Sequence, residues 1–149
     1  MTLASGFQIR ENKVLKLEVT VNPKYESTQC CTEFSMTCAT QHHSNVVNEK
    51  QAAKIECCIK IELFRDPDKK KKYVTVDIKD IGIFEAPSEL SKDDFDRMLH
   101  LNGLTTMLPI IRGIVFNITS SLNIRSSVLI PNINVTKMTW EKLEATKPD

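Results

Sequence analysis

The sequence is poor in the residues that phosphate-handling and hydrolytic enzymes build on. It has four glycines in 149 residues. It has no glycine-rich phosphate loop, no Gly-x-Ser-x-Gly elbow and no His-Glu-x-x-His pair. Its only histidines are His42, His43 and His100, and none stands in a recognisable cysteine–histidine–acid arrangement for nucleophilic catalysis. The expectation is a protein that is not an enzyme and needs no cofactor. Charge of one sign is also lacking: 20 Lys and Arg against 19 Asp and Glu leave a net charge of +1. A nucleic-acid binder normally clusters basic residues on one face, so no nucleic acid is expected as partner. Met1 to Phe7 shows no charged segment followed by an apolar run, as a secretory signal would. No apolar run approaches the ~20 residues that cross a bilayer. The longest, Leu104 to Leu122, is interrupted by Pro109, Arg112, Gly113 and Asn117. A cytoplasmic protein without membrane insertion is expected.

What is present begins with five cysteines: Cys30, Cys31, Cys38, Cys57 and Cys58. Their number is odd and four of them form two adjacent pairs. Without an export signal they read as reduced thiols serving as small apolar side chains rather than as a disulfide framework. A metal site joining Cys30-Cys31, Cys57-Cys58 and His42-His43 is the rival reading. Adjacent cysteines on a strand point to opposite faces, so each pair offers one thiol to a shared metal. Zinc sites usually space their ligands by two to four residues, so no metal is expected. Asn117-Ile118-Thr119 and Asn134-Val135-Thr136 match the glycosylation sequon, which has no consequence in a cytosolic chain.

The length fits one domain, 1–149, with strands over about 7–85 and helices over about 91–145. Apolar and polar residues alternate through the first half, the pattern of half-buried strands. Leu15, Leu17, Val19 and Val21 form one set, broken by Asn22-Pro23; Phe34, Met36 and Cys38 form the next. Ala53, Ile55, Cys57, Ile59, Ile61 and Leu63 make the clearest strand, with Lys54, Glu56, Lys60 and Glu62 on its other face. Asp66-Pro67-Asp68 and Lys69 to Lys72 read as a solvated turn. Val74, Val76 and Ile78 follow, and the parity shifts to Ile81 and Ile83, as at a bulge. The short connections predict an antiparallel meander.

In the second half the period changes. Ser91 with Asp94 three residues later marks a helix start. Phe95, Met98 and Leu99 continue at helical spacing, Asn102-Gly103 interrupts, and Leu104, Leu108, Ile111, Val115, Ile118 and Leu122 form one long stripe. Met107, Ile110 and Ile114 widen it, and Pro109 predicts a kink or a late start. Val135, Met138, Trp140 and Leu143 predict a short last helix. The fold class is α+β: a four-stranded antiparallel sheet, then a long kinked helix and a short C-terminal helix.

Several segments resemble the SecB family of protein-export and holding chaperones. They are Ile81-Gly82-Ile83-Phe84-Glu85, Asn102-Gly103, Met107-Leu108-Pro109-Ile110-Ile111-Arg112, Ile118-Thr119-Ser120-Ser121-Leu122 and Leu129-Ile130-Pro131-Asn132-Ile133-Asn134-Val135. The likeness runs from about Val74 to Leu143. It implies a SecB-like sheet with a long helix packed on it, assembly as a homotetramer (a dimer of dimers), and ATP-independent binding of unfolded or extended polypeptide in apolar grooves. Family members that deliver preproteins to the SecA motor are strongly acidic, whereas this chain is near neutral and carries the Lys69 to Lys72 run. Some divergent SecB-like members serve one dedicated partner, which can be the antitoxin of a toxin–antitoxin pair. SecA and an antitoxin are therefore the two named partners to weigh, and a dedicated adaptor is the alternative to a general export chaperone.

A holding protein needs exposed apolar surface, because apolar burial is non-directional and tolerates many sequences. Flexible methionine side chains adapt to varied partners. The candidate client-binding residues are Phe34, Met36, Met107, Ile110 and Ile114. The competing reading is that they belong to the core or to a subunit contact.

Overall fold

The apolar alternation translates directly into a sheet with one dry face. A computed structural model describes residues 6–43, 50–124, 128–134 and 140–142. Its elements are β1 (Gln8–Val21), a 3-10 turn (Pro23–Tyr25), β2 (Cys31–His42), β3 (Lys50–Phe64), β4 (Lys72–Pro87), α1 (Lys92–Met98), a π-helical segment (Leu99–Gly103), α2 (Leu104–Ser121) and β5 (Trp140–Lys142). On β3, Ala53, Ile55, Cys57, Ile59, Ile61 and Leu63 are all buried. Their opposite numbers on β4 are Phe84, Gly82, Asp80, Ile78, Val76 and Val74. These two strands form the middle of the sheet, and the helix packs on the face they share.

The strands do not form the meander that the short connections predicted. Their spatial order is β1-β4-β3-β2-β5. β2, β3 and β4 follow one another, but β1 pairs with β4. The chain from Asn22 to Cys30 crosses from one edge to the other, about 14 Å at the usual strand spacing, which so many extended residues span easily. Asn22-Pro23 does break β1, and the Asn22 side chain accepts from the Lys24 N–H to cap the 3-10 turn. Tyr25 and Cys30 then pack on the core, which holds the crossing against the body.

The bulge also lies elsewhere. From Val74 to Ala86 the parity of β4 does not shift: Asp80 and Gly82 stay on the dry face, and Ile81 and Ile83 lie half-buried on the outer one. The register slips occur in β1, between Ile9 and Glu11 and between Val14 and Lys16, and at the start of β4, where Leu63 and Phe64 pair with Val74 and Lys72. Sequence alternation in β4 misleads because Asp80 and Gly82 occupy core positions with a charged and an empty side chain.

The helical half starts where the capping pair placed it, with Ser91 Oγ accepting from the Asp94 N–H at 3.1 Å. Asn102-Gly103 does not interrupt it. The chain stays helical from Lys92 to Ser121, passing through a π turn. Thr105 and Thr106 hydroxyls donate to the carbonyls of Leu101 and Asn102 within that turn. A Cβ on Gly103 would lie 2.6 Å from Ile55 Cδ1, and one on Gly82 would lie 2.8 Å from Met107 Sδ. Glycine at both positions is what lets helix and sheet approach. By length and composition alone this helix could cross a membrane. In the fold Leu104, Met107, Leu108, Ile111 and Val115 are buried in the core that the helix shares with the sheet.

The short last helix is replaced, in its described part, by a strand. Trp140–Lys142 pairs parallel with Cys38, Ala39 and Thr40 on β2. Trp140 stacks on His100 with centroids 4.2 Å apart, so its apolar ring is spent on joining strand to helix. Val135, Met138 and Leu143 lie outside the described residues.

Candidate client-binding surface

The five residues picked from sequence fall into three environments. Met107 is fully buried, with its sulfur against Gly82. It belongs to the core and offers nothing to a client of this subunit. Phe34 and Met36 sit two residues apart on β2, opposite Ile61 and Ile59. They are half-buried at the margin of the core. Ile110 and Ile114 sit one helical turn apart on α2, the first exposed (38%) and the second half-buried. α2 meets the sheet at β4 and β1, while β2 lies beyond β3. Phe34 and Met36 therefore belong to a different stretch of surface from Ile110 and Ile114.

Other apolar residues are more open than these. Phe116 on α2 is 59% exposed, and Leu122 at its end and Leu129 are similarly free. On β1, Leu15, Leu17 and Val21 are exposed. Leu17, Val19 and Val21 pair with Ile78, Val76 and Val74, so they lie on the helix-bearing face of the sheet. β1 is an edge strand of 14 residues with one side unpaired among the described residues. An edge of that length is a template for another extended chain. In sequence Leu15, Leu17 and Val21 read as one apolar face of a strand. Alternation marks a strand face but says nothing about whether a second layer covers it.

The outer face of the sheet is a lattice of compensated charges. Lys79 and Lys54 approach Glu56, Lys60 and Lys72 approach Glu62, and Lys16 approaches Asp77. The Lys72 ammonium holds the Glu62 carboxyl below its usual range. Each exposed pair contributes little, on the order of 0–1 kcal/mol. Alternating sign leaves no acidic field on this face. Within the lysine run, Lys69 pairs with Glu33 and Lys72 with Glu62. Asp66 accepts from the Lys71 N–H and closes the turn. Glu33, Phe34, Ser35, Lys60 and Glu62 line a shallow hollow beside it.

At the other end an aromatic cluster ties α1 to the sheet. Phe7 stacks on Phe84 at 5.3 Å and meets Phe95 edge-on at 6.0 Å, and His42 also meets Phe95 edge-on, at 5.3 Å. The His42 ring also pairs with Asp96, linking the end of β2 to α1. Among the described residues no three His, Cys, Asp or Glu side chains converge as metal ligands. The cysteine doublets do not converge either: Cys57 faces inward against Cys38, and Cys31 stands opposite Phe64.

Asp80 is the one carboxylate in the core among the described residues, fully buried on β4. Asn12 Nδ2 donates to its Oδ2 at 2.7 Å, and Oδ1 has no partner among the described residues. Burial pushes its carboxyl above the usual carboxylate range. The folded state therefore keeps a proton there at pH values where the unfolded chain has lost it, so this group's contribution to stability falls as pH rises through that window. Asp80→Asn cannot ionise and should raise stability at neutral pH, because it removes the cost of burying a charge. The gain should shrink as pH falls to about 4. Urea unfolding at the two pH values checks this; an equal or lower stability at neutral pH would contradict it.

No protein-family model matches the sequence, and neither does any curated protein. Solved structures do match. The Mycobacterium tuberculosis SecB-like chaperone Rv1957, in complex with a ChAD peptide from the HigA1 antitoxin, superposes with a TM-score of 0.60. The match covers 85% of this chain and 90% of that one at 15% identity. The fold is SecB-like. A protein of unknown function from Streptococcus agalactiae matches at 13% identity over 87% of this chain and 99% of that one, with a TM-score of 0.41, too loose to define a fold. The SecB-like arrangement agrees with the expected four-stranded antiparallel sheet followed by one long helix.

Proposed function

We propose that this chain is a cytoplasmic SecB-like chaperone or adaptor that binds extended polypeptide, without ATP, on apolar surface beside its long helix and its open sheet edge. The observation that carries the reading is the combination of a SecB-like fold with apolar side chains left uncovered on both partners of the helix–sheet layer: Ile110, Phe116 and Leu122 on the helix, Leu15, Leu17 and Val21 on β1. Apolar contact gives about 25 cal/mol per Å² whatever the client sequence, and an edge strand adds main-chain hydrogen bonds. Part of the same surface would be covered in a homo-oligomer built by the family's dimer-of-dimers plan.

The similar M. tuberculosis structure holds a peptide from an antitoxin, and that favours a dedicated partner over a general role in protein export. The compensated charges of the outer face point the same way, since they offer no acidic dock for SecA. The decisive experiment is aggregation of an unfolded client protein followed by light scattering with stoichiometric chain present, alongside titration of fluorescent apolar peptides. A general holdase suppresses scattering and binds many peptides at micromolar affinity. A dedicated adaptor leaves scattering unchanged and binds one peptide. If neither is bound, the reading is wrong.

A further inference from the structure

One pair of side chains on the dry face is used by none of the roles above. Cys38 on β2 stands directly opposite Cys57 on β3. Their sulfurs are 2.9 Å apart, and each residue is 1% exposed. Directly opposed residues of antiparallel strands have Cα atoms about 4.5–5.5 Å apart, inside the ~4.4–6.8 Å range that a disulfide spans. The strand register alone therefore brings them within bridging distance. The other three cysteines lie outside this pair, all half-buried.

We propose that Cys38 and Cys57 are a reversible redox pair, oxidised to an intramolecular cross-strand disulfide by a low-molecular-weight disulfide such as oxidised glutathione. One cysteine thiolate attacks the glutathione disulfide, forming a mixed disulfide and releasing one glutathione. The second cysteine, losing its proton, displaces the other glutathione. Two protein thiols give up two electrons and two protons, and one oxidised glutathione becomes two reduced ones. The contact with Cys38, together with burial, pushes the Cys57 thiol up, so attack requires the strands to open and the oxidation is slow. β5 covers the β2 edge at this position, with Trp140 paired to Cys38. The bond fixes the register of β2 on β3 and so stiffens the strand that carries Phe34 and Met36.

The test uses the full chain with Cys30→Ser, Cys31→Ser and Cys58→Ser, which leaves only the pair. After incubation with excess oxidised glutathione, the protein is denatured, alkylated and weighed by mass spectrometry. The expected product is a monomer lighter by two hydrogens that takes up no alkyl group. Dithiothreitol restores two alkylatable thiols, and the oxidised form melts about 5 °C or more above the reduced one, as closing a loop of this size implies. Two alkyl groups, a persistent glutathione adduct or a linked dimer overturns the proposal. If the triple variant fails to fold, peptide mapping of the oxidised natural chain decides: a Cys38–Cys57 cross-link supports the pair, and any other dominant linkage sinks it.

Discussion

Phe84→Ala should remove a large part of the folding free energy, about 3–5 kcal/mol. Domains of this size have only about 5–15 kcal/mol in total. Phe84 on β4 is fully buried, between Phe7 and the helical Gly103. It stacks on Phe7 at 5.3 Å. Its ring atoms also lie within 3.6 Å of where side chains at Gly82 and Gly103 would begin. The two glycines bring helix and sheet together, and the Phe84 ring fills the wedge they leave. Alanine there opens a void that none of these neighbours can close: Phe7 and Phe95 are held by one another, and the glycines have no side chains. Denaturant unfolding should show a lower midpoint with an unchanged slope. The matching control is Phe116→Ala, which removes the same side chain from a site 59% exposed and should shift stability by no more than about 0.5 kcal/mol. If the two variants lose equal stability, the helix is not seated on the sheet as described.

How much of this was legible beforehand depends on whether a feature is local. The period-two run from Ala53 to Leu63 and the Ser91–Asp94 cap are local, and both were read in place. So was the turn at Asp66-Pro67, where the chain needs a polar bend and Lys69 takes a positive φ of 57°. Strand order is not local. Nothing in Leu15 to Val21 says that its partner is Val74 to Ile78 rather than Phe34 to Cys38, since both partners alternate alike. The π turn escaped notice because Asn102-Gly103 is ordinary helix-breaking chemistry; only the contact of Gly103 with Ile55 shows why a glycine is needed there inside a helix. Trp140 reads as helical from the apolar residues around it, whereas its ring is held by His100. The facing of Cys38 and Cys57 could have been found only from the register of β2 on β3, which no turn motif in the connecting segment specifies. By residue type Met107 reads as adaptable surface; the empty position at Gly82 draws it inward instead.

That distinction between covered and uncovered apolar residues decides what the surface is for, and two charge substitutions separate the alternatives. Leu17→Asp on β1 and Ile110→Asp on α2 each replace an exposed side chain, 38% accessible in both cases, so the subunit itself should keep its stability to within about 0.5 kcal/mol. A contact that buries either residue loses about 1.5–3 kcal/mol of apolar burial, and the carboxylate adds a desolvation cost on top. The expected result is a loss of at least about tenfold in whatever association that residue serves. Leu17 lies on an unpaired edge strand, where one chain can extend the sheet of another. Leu17→Asp should therefore weaken binding of a fluorescent apolar peptide, and it should also lower the native mass measured by light scattering where the same edge joins subunits. Ile110→Asp on the helix should leave the mass unchanged while weakening binding of the same peptide. A loss of mass with full peptide affinity in Leu17→Asp would reserve the edge strand for the subunit contact and leave clients to the helix. Should neither substitution alter mass or peptide affinity, the uncovered apolar residues serve no association, and a SecB-like fold without a working surface would be all that remains of the functional reading.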